Sequence, residues 1–308
     1  MKEMKVNKSM KRSLYSSPVV ASLMAVTLLS APMIVRGDSP ELPSPGAPYC
    51  SEFLPDEALG LGTAAKCAVL QLGNAKVSIG GSVEIFDDFL IPGQPPGSIR
   101  GAFGIFGDVC IGPRGKFSLS GEQFVTGTVK LSPGATFANS RHGSVRVLDD
   151  VDLSVEIRDA YAAALAAALL DCDQSFAKLD GKTVTTIVGV AGLNVVCVQD
   201  VVLSGGQILL TGEPGAQFII NVTGKFVLAE GSAGPQIRVD GFNVQPKDVL
   251  YNIIGKGPDV ACSSGAIVNG TLLAPLRKIA LGSAKVNGAI ISGKDIKIHS
   301  GGGVGCGR

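Results

Sequence analysis

Tryptophan is absent, histidine occurs twice and tyrosine four times in 308 residues. The chain is thus poor in the imidazoles and aromatic rings that line most catalytic clefts. His142 lies in Ser-Arg-His-Gly, a loop-like sequence, and His299 closes a strand-like run. Neither belongs to H-E-x-x-H or to another metal-ligand spacing, and both read as solvent-facing. No two of the seven cysteines form C-x-x-C, which removes the usual zinc signature. There is no serine-centred nucleophile elbow, and Ser300-Gly-Gly-Gly does not join a strand to a helix as a phosphate loop would. The carboxylate clusters are Asp87-Asp88, Asp149-Asp150-x-Asp152 and Asp171-x-Asp173. The second reads as helix capping, and the third lacks the ligand set of a calcium loop. No catalytic residue, metal or cofactor is expected. Charge of either sign is also scarce, at 17% of residues with a net of +1. Residues 1–37 hold six basic side chains and one acidic, so the remainder has 27 − 6 = 21 basic against 26 − 1 = 25 acidic, a net of −4. Neither nucleic acid nor an anionic membrane is implied as a partner.

What is abundant is glycine, 41 residues, within a chain that is 45% hydrophobic. Residues 1–37 read as a secretory signal: the basic MKEMKVNKSMKR, an apolar run from Val19 to Val35, and small residues allowing cleavage after Gly37. An uncleaved anchor is the alternative, although Pro32 interrupts the run. No later segment reads as a membrane span. Residues 38–58 form a Pro-rich linker, and 59–308 read as a single domain. There, four-residue runs such as those in GDVCIGPRGKFSLSGEQFVTGTVKLSPGATF alternate with Gly or Pro-Gly corners, closer together than a hairpin meander allows. Short strands with glycine at each corner suit a solenoid of parallel strands, each coil stacking on the next. Val268-Asn-Gly and Val286-Asn-Gly lie 18 residues apart and each opens a similar apolar run, the spacing of one coil.

One long segment breaks this pattern. Asp149 to Cys172 reads as a helix, with Asp149 or Asp150 as cap and residues 150–171 as its body. Ile157, Tyr161, Ala164, Leu165, Ala168, Leu169 and Cys172 recur at three- and four-residue spacing and predict its buried stripe. The expected arrangement is this helix laid along one face of a solenoid built from the blocks before and after it. The alternative is a connector between two separate β-domains. Export makes disulfides plausible, and Cys172–Cys197 is the preferred bridge because it ties the helix end to the next strand. Cys50, in the linker, is the candidate for the odd thiol.

Gly107-Asp-Val-Cys-Ile-Gly, the Ala-rich helix, Phe218-Ile-Ile-Asn-Val-Thr-Gly, Val249-Leu-Tyr-Asn-Ile, Asn269-Gly-Thr-Leu-Leu-Ala-Pro and Asn287-Gly-Ala-Ile-Ile-Ser-Gly together carry a family resemblance. The chain resembles the choice-of-anchor A or collagen-binding-like domains of exported bacterial proteins and, more distantly, the ice-binding-like (DUF3494-type) adhesin superfamily. The resemblance covers residues 59–300. It implies a right-handed parallel β-solenoid with one long helix along a face, and an extracellular or cell-surface, non-enzymatic role.

Three functions follow as expectations. The leading one is a structural or adhesion module whose partner is a matrix polymer, glycan or surface, bound by a mildly basic face of Lys278, Lys285, Lys294 and Lys297. The alternative is ice binding through Thr126, Thr128, Thr183 and Thr185, although these show no repeating register. The third is a carbohydrate-active β-helix enzyme, for which Arg277-Lys278 and Lys294-Asp295 are the basic and acidic candidates.

Overall fold

Alternation of buried and exposed residues, closed by glycine every few positions, produces mostly short strands of two to seven residues, with Gly192–Leu203 at twelve, that turn and stack rather than pair as hairpins. A computed structural model describes residues 59–81, 104–121, 123–139, 145–180, 184–229, 234–299 and 301–305. The signal, the linker, Cys50, Asp87, Asp88, His142 and Thr183 lie outside them. The strands form a three-sided parallel β-solenoid. Two sides share one 17-stranded sheet, because the strand Gly192–Leu203 runs on around a corner, and the third side is a separate 8-stranded sheet. Inward residues of all three sides, among them Val77, Phe117, Ile208, Phe218, Phe226 and Ile298, fill one continuous core.

The order of coils is not the order of the sequence. The first described strand, Val69–Gln71, pairs on one side with Val109–Ile111 and on the other with Ile290–Ser292, close to the end of the chain. The first block therefore winds from the middle of the stack out to Arg146–Leu148 at one end. The second block starts at the opposite end with Gln174–Leu179 and winds inward until it meets the first. Nine strand-to-strand steps separate the two ends, about 43 Å at ~4.8 Å per step. Residues 149–173 span this gap. A helix of 15 residues covers about 22 Å, and ten extended residues can add about 33 Å.

That helix, α1 (Ser154–Ala168), is shorter than the expected 150–171, and its N-cap is Leu153. Asp152 supplies the capping oxygen, with Oδ1 accepting from Ser154 N at 2.9 Å. Its buried stripe also differs from the expected one. Ala160, Ala163 and Ala167 face the sheet, whereas Tyr161, Leu165 and Leu169 are 44%, 64% and 76% exposed. The reason is distance. Asn221 Nδ2 donates to Ala167 O (2.7 Å), and Asn252 Nδ2 donates to Ala164 O (3.0 Å) and to Asn221 Oδ1 (2.9 Å). Side chains this short reach the helix backbone only if nothing larger than a methyl group lies between. Ile219, Leu250, Leu273 and Ile291 complete the contact from the sheet side. Asp159 fixes the preceding 3-10 turn, accepting from Thr63 N and Oγ1 at 3.1 and 2.7 Å.

The 18-residue spacing is one coil. Ile267, Val268 and Asn269 align with Lys285, Val286 and Asn287, and Asn287 Nδ2 donates to Asn269 Oδ1 at 2.7 Å. Gly270 (φ +129°) and Gly288 (φ +154°) turn the adjoining corners, where a Cβ would fall within 3 Å of neighbouring backbone. Cys172–Cys197 is bonded as expected, and Cys67–Cys110, which the sequence did not single out, closes the first coil against the second. Cys262 is a free cysteine inside the core, where burial pushes its thiol up to about 12 and keeps it protonated.

Two outcomes test this packing. Ala163→Leu should destabilise by about 1–3 kcal/mol through overpacking, while Leu165→Asp should stay within about 0.5 kcal/mol because the side chain is already in water. Thermal melts of the two variants check it. Non-reducing peptide mapping should recover both Cys–Cys pairs. Each closes a loop worth about 3–4 kcal/mol in the chain-entropy model, so reductant should lower Tm measurably.

Candidate functional site

Of the three sides, α1 and the 3-10 turn cover one. The eight-stranded side is uneven: Phe106 and Phe124 pack edge to face at 5.2 Å, and Arg238 projects from a strand next to the Asn269–Asn287 pair. Among the described residues nothing covers the remaining side, called the open side below. Its eight main strands stack in the order Thr136–Asn139, Lys116–Leu119, Lys76–Gly80, Ile296–His299, Ile279–Gly282, Val260–Cys262, Phe226–Leu228 and the second half of Gly192–Leu203, beyond which Lys178 and Leu179 at the end of Gln174–Leu179 pair with Asp200 and Val201.

Parallel register turns this stack into ranks. The central outward rank reads Ala138, Ser118, Ser78, Lys297, Ala280, Ala261, Val227, Val202. Two residues further along each strand a second rank holds Ser120, Gly80, His299, Gly282, Ser263, Ala229 and Ser204. Apart from Lys297 and His299, every member is Gly, Ala, Ser or Val, so the surface has little relief. On the other flank, Lys116, Lys76, Asp295, Lys278, Asp259, Lys225 and Asp200 make a charged row. Within it Asp295 Oδ1 accepts from Lys76 N (3.0 Å), Asp295 Oδ2 lies 3.9 Å from Lys278 Nζ, and Asp200 Oδ1 accepts from Lys225 N (2.6 Å). Signs largely alternate along the row, so neighbouring fields cancel.

A signal for this surface exists in the sequence. The pentapeptide charged–apolar–small–apolar–small occurs as KVSIG (76–80), KFSLS (116–120), DVVLS (200–204), KFVLA (225–229), DVACS (259–263) and KIALG (278–282). A seventh copy, DIKIH (295–299), keeps the frame but breaks both small positions. Consecutive copies start 17 to 84 residues apart in the sequence, and no single period connects them, because the coils differ in length.

The residues expected to form a site are not brought together. Lys278 sits in the charged row beside Asp295, Lys297 stands in the central rank, and Lys294 lies in the turn before it. Lys285 is on the eight-stranded side, half-buried, where desolvation pulls its pKa down. Seven residues from Lys278 to Lys285 carry the chain around a corner, so nearness in sequence did not mean a shared face. Thr126 is at a corner, its Oγ1 accepting from Gly107 N, and Thr128 begins the strand Thr128–Leu131. Thr185 belongs to the terminal strand of the eight-stranded side, seven steps or about 34 Å from the strand that precedes Thr126. Asp173 Oδ2 accepts from Val195 N at 2.7 Å and is a strand-end cap.

Arg277 has a structural position as well. It is 2% exposed, and its guanidinium donates to Gly255 O (3.0 Å), Thr223 O (2.9 Å), Ile254 O (2.6 Å) and Gly224 O. These carbonyls belong to the corners of the two coils stacked next to its own, so one side chain staples three coils together. Arg277→Met should leave buried carbonyls unpaired and cost roughly 3 kcal/mol, a Tm fall of about 6–12 °C for a domain of this size. Differential scanning calorimetry reads it.

Residues 69–304 match the family model described as "Putative Ice-binding-like adhesive domain". This is the more distant of the two resemblances carried by the sequence. Among solved structures, the chain is similar to an ice-binding protein from the Antarctic ascomycete Antarctomyces psychrotrophicus, at 14% identity and TM-score 0.40, covering 80% of this chain and 98% of that one. It is also similar to an ice-binding protein from Arctic yeast, at 15% identity and TM-score 0.48 (82% and 96% covered). A third is the DUF3494 domain of Shewanella frigidimarina ice-binding protein_1, at 15% identity and TM-score 0.45 (80% and 97% covered). No curated protein sequence matches the chain. The expectation of a matrix- or glycan-binding module is overturned. Its four lysines are split between two sides and a turn, so they form no common basic face.

Proposed function

Because the chain belongs to the ice-binding-like adhesive domain family, we propose that it binds ice, as a secreted protein without catalytic activity, and that the open side is the contact surface. Family membership alone would not carry this, since a fold hosts many functions. The observation that does is the pair of ranks of Gly, Ala, Ser and Val running across the stack of parallel strands, uncovered by any described element.

The physical argument is one of shape and rigidity. Ice is an ordered, nearly flat partner that cannot adapt, so the protein surface must be flat and fixed to about the size of a water molecule. Interlocked backbone hydrogen bonds and a close-packed core hold the strand spacing at ~4.8 Å. Methyl and hydroxyl groups on such a lattice place apolar patches and hydrogen-bonding groups at regular intervals and lose almost no rotamer freedom on contact. The expected threonines are replaced in this role by serine and alanine. Two disulfides support the extracellular assignment. Among the described residues no helix is long and apolar enough to cross a membrane.

Ala261 lies in the middle of the longer flat stretch, so Ala261→Arg should raise a flexible, hydrated cation from it. The full chain should be captured from solution into growing ice and should depress the freezing point below the melting point. Ala261→Arg should lose at least fivefold of that hysteresis at unchanged Tm, while Leu165→Asp on the outer side of α1 should retain it. Exclusion of the wild-type chain from ice, or full hysteresis in Ala261→Arg, overturns the reading.

A further inference from the structure

Six of the seven pentapeptide copies keep both outward positions small, and one does not. The exception, Ile296–His299, is the fourth of eight strands across the open side. It puts Lys297 between Ser78 and Ala280, and His299 between Gly80 and Gly282. Both side chains are exposed, whereas Ser78 and Ala280 are half-covered by their own flat surroundings. On one side of this strand lie three strands of the surface, on the other four. A surface of seven steps, about 34 Å long, is thereby cut into pieces of roughly 10 and 14 Å.

We infer that Lys297 and His299 form a ridge that limits contact to one part of the open side at a time, and that this pair sets how strongly the protein acts on ice. The inference rests on the proposed reading of that side as the ice contact. A lysine ammonium on its four-carbon stem reaches about 5 Å above Cβ, holds its hydration shell and moves among many rotamers. The imidazole beside it widens the obstruction along the strand. A rigid planar partner cannot touch the ranks on both sides of such a ridge at once. The frame of the copy is otherwise intact: Ile296 and Ile298 point into the core like their counterparts, and Asp295 keeps its contacts with Lys76 N and Lys278. Removal of the two side chains therefore leaves the fold undisturbed and restores DIAIA, a sequence of the same kind as KIALG.

The experiment compares the wild-type full chain with Lys297→Ala, His299→Ala and the double variant in freezing-hysteresis and ice-capture assays, with Tm as the control for folding. The double variant should show at least twice the wild-type hysteresis at equal concentration, with each single variant between. Hysteresis that is unchanged or lower in the double variant, with the wild type active, overturns the ridge and leaves the proposed surface standing. Absence of hysteresis and capture in all four proteins overturns both.

Discussion

A chain that starts winding in the middle of a stack cannot complete that stack without first crossing its whole length. This constraint explains more of the structure than any single contact. The first block consumes one half, from Val69–Gln71 outward, and the second must begin at the far end so that Ile290–Ser292 can close on the first strand. A straight helix is an economical strut for that distance, at ~1.5 Å per residue with its own hydrogen bonds satisfied. Once it lies along a side of the stack, it must lie close, or the apolar groups of that side are left in water. Alanine at positions 160, 163 and 167 and the paired Asn221 and Asn252 meet that requirement. Buried amides bonded to helix carbonyls also fix how far the helix can slide, because each is costly to leave unpaired.

Much of this architecture was legible. Four-residue runs with glycine corners identify a solenoid, the 18-residue spacing of Asn269 and Asn287 identifies a coil, and Asp149 to Cys172 stands out as the one helix. The pairing of Cys172 with Cys197 was anticipated, although Cys197 lies not in the next strand, Gln174–Leu179, but in Gly192–Leu203, which stacks on it. The helix face was only partly legible: Ile157 and Ala164 of the expected stripe do pack on the cluster, but periodicity weights apolar size and so also selects the exposed Tyr161, Leu165 and Leu169. The actual partner is a flat sheet that the helix meets with methyl groups at 160, 163 and 167, with Ile157 packed at the side of the contact. The closure of the last coil on the first was not legible, since nothing local in Val69–Gln71 or Ile290–Ser292 names the other.

The candidate surface was hidden for a related reason. Its members are single small residues between apolar ones, a pattern that ordinary strands share. Only the parallel register, which places position 78 over 118 and 297, turns scattered Ser and Ala into ranks. Lysines draw attention in a sequence because they are charged, yet a three-sided coil turns a corner every five or six residues. Lys278 and Lys285 are therefore neighbours in sequence and strangers in space.

The topology also decides where the open side is weakest in continuity. The strand Ile296–His299 is the last of the second block on this side, and Lys76–Gly80 is the first of the other block. Between them runs the seam at which the two halves meet, held by backbone pairing and by the Asp295 carboxylate on Lys76 N. A flat surface that spans the seam depends on register between segments more than 200 residues apart, and such pairing forms only after the intervening chain is ordered. Protruding polar groups beside a seam protect it while it is unpaired, since charge on an exposed strand discourages association with another chain. Lys297 and His299 stand on the strand that borders this seam, so the two side chains that interrupt the small-residue ranks do so where the two blocks of the chain meet and not deep inside either one.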